Sequence, residues 1–186
     1  DAKKTVLEGL APMGEEYLSH LKDGFEHGWI DVYENQGKRS GAYSWGAYGT
    51  HPYVLLNYQG TLNDVFTLAH EMGHALHSWY SDETQPYIYA GYRIFVAEVA
   101  STCNEALLIH HLLKKAKDPK TKAYLINYFL EQFRTTLYRQ TMFAEFEKIT
   151  HGLQEAGEAL TAERLCSIYY DLNKAYFGED ICIDRQ

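Results

Sequence analysis

The sequence predicts a mainly α-helical fold with a small β-sheet or hairpin beside one central helix. Apolar side chains recur every three to four positions over most of the 186 residues, which is the period of an amphipathic helix. Residues 35–58 break this period with glycines, aromatic rings and hydroxyl groups, as short strands and turns do. A hydrophobic fraction of 46% is enough for a core. No apolar run approaches the roughly 20 residues of a membrane-spanning helix.

The first third of the chain is expected to contain a helix followed by two strands. The helix is predicted over residues 2–28, where Pro12 should kink or split it. Short strands are predicted over residues 38–44 and 53–58, with a turn at residues 49–52. They form either a hairpin that covers the core or an edge strand that pairs with an extended peptide.

The central helix is predicted over residues 61–81, with a capping box of Thr61 and Asp64 at its start. One stripe of this helix carries imidazoles, hydroxyls and a single carboxylate, without Lys or Arg. Such a stripe favours the wall of a polar cleft, and an ordinary exposed face is the alternative. Further helices are expected over residues 89–117, from 119 to about 152, and from 161 to about 178.

The sequence His-Glu-Met-Gly-His at residues 70–74 lies on the polar stripe. His70 and His74 are one helical turn apart, so both imidazoles can bind one metal ion. Glu71 lies beside them, where a carboxylate can accept the proton of a metal-activated water. Gly73 leaves room for the close approach of another chain segment. The pattern therefore predicts a hydrolytic metal site.

A catalytic zinc site needs a third protein ligand. A histidine six residues after His74 and a glutamate twenty residues after it are both excluded, because these positions hold Tyr80 and Ile94. Glu98 remains, as a carboxylate in an otherwise apolar segment. Burying it is costly unless it binds the metal or pairs with a cation such as Arg93.

Three further residues near the predicted ligands are candidates for supporting roles. Thr102 and Glu105 share a helix stripe with Glu98, so either can hydrogen-bond a ligand imidazole and fix its tautomer. For Glu105, a surface-facing position is the alternative. His77 lies one turn beyond His74 and either contacts substrate or packs as an ordinary histidine.

Composition excludes several other classes of protein. A formal net charge of −8 without a basic stripe argues against nucleic acid. The three cysteines are widely spaced, which indicates neither a disulfide framework nor a cysteine metal site. We expect a cytoplasmic protein that does not act on membranes. No pattern in the sequence indicates an oligomeric state.

Three runs, residues 37–44 (GKRSGAYS), 51–58 (HPYVLLNY) and 70–78 (HEMGHALHS), resemble oligoendopeptidase F. This is a bacterial branch of the thimet-oligopeptidase-like zinc metallopeptidases, and the resemblance extends over essentially the whole chain. It implies a helical zincin-type catalytic core and one Zn²⁺ ion held by His70, His74 and Glu98, with Glu71 as the catalytic residue. The strand that contains Tyr43 resembles one that lines the substrate channel of the family.

The resemblance implies a zinc-dependent endopeptidase that hydrolyses short unfolded oligopeptides through a metal-activated water. Family members are several times longer, so residues 1–186 are expected to be a single piece of a metallopeptidase catalytic domain. Alone, this piece is expected to bind zinc with weak or no turnover. The alternatives are a carboxypeptidase or dipeptidyl carboxypeptidase of the same clan, and a non-catalytic helical peptide-binding module. The presence of Glu71 argues against the last.

Overall fold

The structure is a computed structural model that describes residues 1–183 and is mainly helical, with a small three-stranded sheet in the described part. Residues 184–186 of the predicted piece lie outside that part. The chain divides into two compact units, of which the first is Asp1–Pro119 and the second begins at Lys120. The predicted fold class is confirmed.

The elements of the first unit surround the predicted metal ligands. Its helices are α1 (Ala2–Gly9), α2 (Glu15–Glu26), α3 (Leu62–Thr84), α4 (Tyr87–Ala90) and α5 (Ile94–Lys115). Its strands are β1 (Ile30–Asp31), β2 (Tyr43–Trp45) and β3 (Tyr53–Leu55). The second unit contains α6 (Pro119–Gln132), a π-helical segment (Phe133–Tyr138), α7 (Arg139–Glu155) and α8 (Ala162–Phe177).

The predicted first helix is split at Pro12, as expected. A 3₁₀ turn over Ala11–Met13 contains Pro12 and separates α1 from α2. Proline has no backbone N–H and its ring clashes with the preceding turn, so a continuous α-helix is not possible there. Gly14 follows with φ of 92°, a conformation that glycine adopts at little cost.

The sheet has the strand order β1-β3-β2, so it contains the predicted hairpin of β2 and β3 and adds a third strand to it. β2 pairs antiparallel with β3, with Ser44 opposite Val54, while the unpredicted β1 pairs parallel with β3. The predicted bounds 38–44 and 53–58 are wrong, because both strands are three residues long. Residues 39–41 are held by a side chain instead of a ladder, since Asn57 Nδ2 donates to the carbonyls of Arg39 at 3.0 Å and Gly41 at 2.8 Å.

The central helix α3 begins at the predicted cap. Asp64 N donates to Thr61 Oγ1 at 3.2 Å, and Thr61 N donates to Asp64 Oδ2 at 2.8 Å, so the capping box is confirmed. α3 runs three residues beyond the predicted end, to Thr84. It stops there because Gln85 precedes Pro86, and a residue before proline favours extended backbone. Its apolar face is buried and packs chiefly against α5.

The helices after α3 agree with the predictions in position but not in continuity. The predicted helix 89–117 is interrupted between α4 and α5 by residues 91–93, which include Gly91. The predicted helix from Pro119 to about 152 contains the π-helical segment and ends at Glu155. α8 starts as predicted after Thr161, whose hydroxyl accepts a hydrogen bond from Arg164 N at 3.3 Å.

Among the residues that the structure describes, no helix combines the length and the apolar character needed to cross a membrane.

Candidate metal centre

Two helices bring the three predicted ligand side chains together. His70 and His74 project from α3, and Glu98 projects from the second turn of α5. The Nε2 atoms of the two imidazoles lie 3.2 Å apart. Each of these nitrogens lies 3.4 Å from Oε2 of Glu98. Side chains separated by 24 positions in sequence therefore converge on one point.

The separations of these three atoms fit a bound metal ion. Tetrahedral zinc has bonds of about 2.0–2.1 Å to His and carboxylate ligands, which places neighbouring ligand atoms about 3.3–3.4 Å apart. The observed distances of 3.2 and 3.4 Å match these edges. Lone pairs that face one another this closely repel unless a cation or shared protons lie among them. The donor set therefore suits a divalent metal, with a further coordination position left for water or substrate.

The outer nitrogen of His70 is held by a carboxylate. Its Nδ1 lies 2.6 Å from Oε1 of Glu105, a distance at which the imidazole N–H donates to the carboxylate. The proton is then on Nδ1, and the lone pair of Nε2 points towards the other ligands. Glu105 thus lies where the sequence predicted it. Thr102 is placed differently, because its hydroxyl donates to the backbone carbonyl of Glu98 and not to an imidazole.

Ser101 is a supporting residue that sequence reasoning missed. Its side chain is fully buried, and Oγ donates to Oε2 of Glu98 at 2.8 Å. This is the same oxygen that faces the two imidazoles. The available signal was the spacing of three residues between Glu98 and Ser101, which places both on one helix face. The ring of His74 also forms a hydrogen bond with the backbone of Ala97, which lies in α5 next to Glu98.

The ligands meet because α3 and α5 approach very closely at Gly73. A Cβ atom at this position would lie 2.8 Å from the Ser101 Cα and 2.9 Å from the Ala100 carbonyl oxygen, closer than real side chains pack. The predicted role of Gly73 in close packing is confirmed. Any larger residue would push the helix that carries Glu98 away from the helix that carries the histidines.

A buried hydrogen bond also joins α3 and α5 one helical turn from Gly73. Asn104, which is 1% exposed, donates from Nδ2 to the carbonyl of Ala69 at 2.9 Å. Its Oδ1 accepts a hydrogen bond from the Tyr17 hydroxyl at 2.9 Å. Burial raises the pKa of Tyr17 to about 12, so this hydroxyl keeps its proton and remains a donor. Neither residue was predicted from the sequence to hold these helices together.

Burial and neighbouring charges shape the protonation of the central groups. Glu71 is only 7% exposed, and burial raises its pKa, with further contributions from nearby carboxylates. Burial lowers the pKa of His74, which favours the neutral form that binds metals. Burial opposes the charged form of His70, but the hydrogen bond to Glu105 and other carboxylates outweigh it and raise the pKa of His70.

A cavity of about 740 Å³ extends from the metal ligands between β2, α3 and the start of α5. His74 and Glu98 line one end, and Ser44 and Trp45 of β2 contribute to its wall. The arrangement places the candidate metal ligands at the wall of an open cleft, as the polar stripe of α3 predicted.

The two predicted substrate contacts lie near this cavity but not in its lining. Tyr43 precedes the lining residues of β2 and is 49% exposed. His77 stacks on Tyr92, with 3.7 Å between the ring centroids, and its buried Nδ1 has no hydrogen-bond partner in the described part of the chain. A role in substrate binding stays a prediction for both residues.

Known proteins similar to this chain are peptidases, which agrees with the clustering of His70, His74 and Glu98. The family model described as Peptidase family M3 matches residues 2–186. Oligopeptidase PepF of Bacillus subtilis is 57% identical over 186 residues, which is 100% of this chain and 28% of that protein. The crystal structure of a peptidase from Chlamydophila abortus matches with a TM-score of 0.84 at 46% identity. The match covers 99% of this chain and 31% of that one.

A second solved structure has the same fold. Oligoendopeptidase-F from Enterococcus faecium has a TM-score of 0.63 at 35% identity, covering 98% of this chain and 25% of that one. The chain therefore spans between a quarter and a third of the length of the proteins that it matches.

Proposed function

This chain belongs to peptidase family M3, and we propose that residues 1–186 are a piece of the catalytic domain of a zinc endopeptidase that hydrolyses short unfolded oligopeptides. The family consists of metallopeptidases, which implies a metal ion. Because the chain spans 28% of its Bacillus subtilis relative, the activity is proposed for the longer protein that contains it. This chain supplies the metal ligands and the catalytic carboxylate.

The observation that carries the proposal is the convergence of His70, His74 and Glu98. Two imidazole nitrogens and one carboxylate oxygen, with a position left open, form a donor set typical of catalytic zinc. When bound there, zinc would polarise the scissile carbonyl and lower the pKa of a water molecule towards ~7. We therefore propose zinc as the metal, with these three residues as its ligands.

Glu71 is proposed as the general base. It adjoins the ligand His70 in sequence, and its burial raises the pKa of its carboxyl group. A carboxylate with a raised pKa is a stronger base and works closer to neutral pH. Glu71 accepts the proton that the attacking water loses and passes it to the nitrogen of the leaving amine.

Glu105 and Ser101 are proposed to position the ligands. Glu105 holds the proton of His70 on Nδ1 and directs Nε2 towards the metal position. Ser101 holds Oε2 of Glu98 in place from a fully buried site. Such outer contacts orient metal ligands, and the Glu105 carboxylate also raises the basicity of His70. Both residues therefore act through the ligands and do not touch substrate.

Peptide substrates are proposed to bind along the cavity beside β2. This strand lies at the edge of the sheet, so an extended peptide can pair with its free side. Ser44 and Trp45 already line the cavity that contains His74 and Glu98. Tyr43 on the same strand and His77 on α3 are the proposed additional contacts.

A test uses the full-length protein and a short peptide blocked at both ends. We expect internal cleavage that a zinc chelator abolishes and added zinc restores. The reason is that an endopeptidase needs no free terminus, whereas a carboxypeptidase or dipeptidyl carboxypeptidase would leave the blocked peptide intact. Mass spectrometry of the products measures the outcome. Failure to cleave both blocked and free peptides would contradict a catalytic role.

A further inference from the structure

The cavity continues along α3 from the metal ligands to a carboxylate without a partner. His74, Ser78 and Asp82 are spaced four residues apart, so they follow one stripe of the helix, and all three line the cavity. Within residues 1–183, the Asp82 carboxylate has no hydrogen bond or ion pair. Neither the metal site nor the packing of α3 accounts for this acid.

The surroundings of Asp82 favour a visiting cation. Burial raises the pKa of Asp82, and repulsion from Glu83 adds to this effect. A positive charge would relieve both penalties. Access is kept open by Gly46, where a Cβ atom would lie 2.7 Å from Ser78 Cβ and 3.9 Å from Asp82 Oδ2. A side chain at Gly46 would therefore collide with Ser78 and narrow the approach to Asp82.

Aromatic rings stand around the same part of the cavity. Trp45, Tyr48 and Tyr87 line it and are 70%, 44% and 73% exposed. The rings of Tyr48 and Tyr87 meet edge to face, with 5.4 Å between their centroids. Aromatic faces attract ammonium and guanidinium groups, and they also pack against the aliphatic stems of long basic side chains.

From these observations, and resting on the proposed function, we propose that Asp82 determines specificity by binding a cationic group of the peptide substrate. His74 and Asp82 are separated by eight residues of α3, or about 12 Å along the helix axis. An extended peptide covers about 3.3–3.6 Å per residue, so the cation belongs to the third or fourth residue from the scissile bond. Its source is a Lys or Arg side chain or the free amino terminus of the peptide.

The test compares matched peptides with the full-length zinc-loaded protein. One set of end-blocked peptides carries Lys at the third or fourth position from the cleaved bond on either side, and the other carries norleucine there. We expect kcat/KM to favour one Lys position by about two- to fivefold, mostly through KM, as for a partly exposed charge pair. Free and acetylated amino termini at the same distance separate the two sources of the cation.

Two variants of Asp82 tie the preference to its carboxylate. Asp82→Asn is expected to bring the Lys-to-norleucine ratio close to one, and Asp82→Lys to favour a Glu-containing peptide instead. Glu83→Gln is the matched control, because Glu83 is an exposed neighbouring acid that does not line the cavity. This control should keep most of the wild-type ratio, because it leaves the Asp82 carboxylate in the cavity and removes only a neighbouring charge.

The outcomes separate this inference from the proposed function. If the wild-type protein cleaves all peptides equally well regardless of charge, the role of Asp82 is overturned and the endopeptidase remains. If the ratio persists in Asp82→Asn, another group binds the cation, and the inference is also overturned. If no peptide is cleaved with zinc present, the proposed function itself fails.

Discussion

The two ends of the polar stripe on α3 are built in opposite ways. At the metal end, which comprises the proposed ligands His70, His74 and Glu98, each side chain has a partner from α5: Glu105, the backbone of Ala97 and Ser101, respectively. At the open end, which comprises Ser78 and Asp82 with the aromatic rings around them, the carboxylate has no partner in the described chain and the rings are exposed.

This difference separates the groups that we propose to take part in the reaction from those that we propose to recognise the substrate. Catalytic constellations need their geometry fixed within fractions of an ångström, which packing and outer hydrogen bonds provide. Recognition of varied peptides benefits from side chains that can adjust and from a charge that becomes paired only when the substrate arrives. A substitution that disturbs the contact between α3 and α5 should therefore weaken zinc binding far more than a similar substitution elsewhere in the chain.

Among the substitutions that test this difference, Gly73→Ala is expected to have the largest effect on stability and zinc binding. The new methyl group would meet the backbone of Ser101 at 2.8 Å, and backbone cannot rotate away as a side chain can. We expect a loss of about 1–3 kcal/mol in the free energy of unfolding, as for overpacked sites. Zinc affinity should fall with it, because Glu98 moves away from the histidines. Denaturant unfolding and a zinc-chelator competition measure the two effects.

The matched control is Gly152→Ala in α7. No atom of residues 1–183 lies within 4 Å of a Cβ atom built at this position, and the residue is within a helix. Alanine is favoured over glycine in helices, so stability should rise by about 0.5–1 kcal/mol. Equal and harmless effects of both substitutions would show that the close contact at Gly73 is not needed for the metal end.

A smaller effect is expected from Glu105→Gln. This change keeps the shape of the side chain but removes the charge that holds the His70 proton on Nδ1. Loss of such an outer contact weakens metal binding by about 10–100-fold. Zinc titration against a competing chelator measures it.

Thr102→Val is the paired control and the smallest expected change. Among the residues that the structure describes, its hydroxyl donates only to the backbone carbonyl of Glu98, to which Ser101 Oγ also donates at 3.1 Å. Zinc affinity should stay near the wild-type value. If Thr102→Val weakens zinc binding as much as Glu105→Gln does, the assignment of Glu105 as the residue that orients His70 is wrong.

Local sequence patterns predicted α3 and the metal end well. The capping box at Thr61 and the helical spacing of His70 and His74 depend on neighbours in sequence, so they can be read without a structure. Glu98 was predicted as the third ligand because a carboxylate in an apolar segment is costly to bury unless it binds a metal or pairs with a cation. Ser101 was missed and Thr102 was named instead, because the rotation of α5 within the packed pair decides which hydroxyl faces the Glu98 carboxylate.

Features that depend on tertiary contacts were predicted poorly. The strand bounds failed because the side chain of Asn57 holds residues 39–41 from a distance in sequence. β1 has two residues, too few to produce a recognisable alternation of polar and apolar side chains. That Asp82 has no partner among residues 1–183 also emerges only from the packing around it, so its proposed role required the structure.

The most direct test of the account combines zinc content and turnover in two variants of the full-length protein. Glu71→Gln should keep a stoichiometric zinc ion and lose about 10²–10⁴-fold in kcat, because it removes the base and not a ligand. Glu98→Ala should lose the zinc ion together with the activity. Wild-type turnover by Glu71→Gln, or full zinc content in Glu98→Ala, would contradict the assignment of the base or of the third ligand.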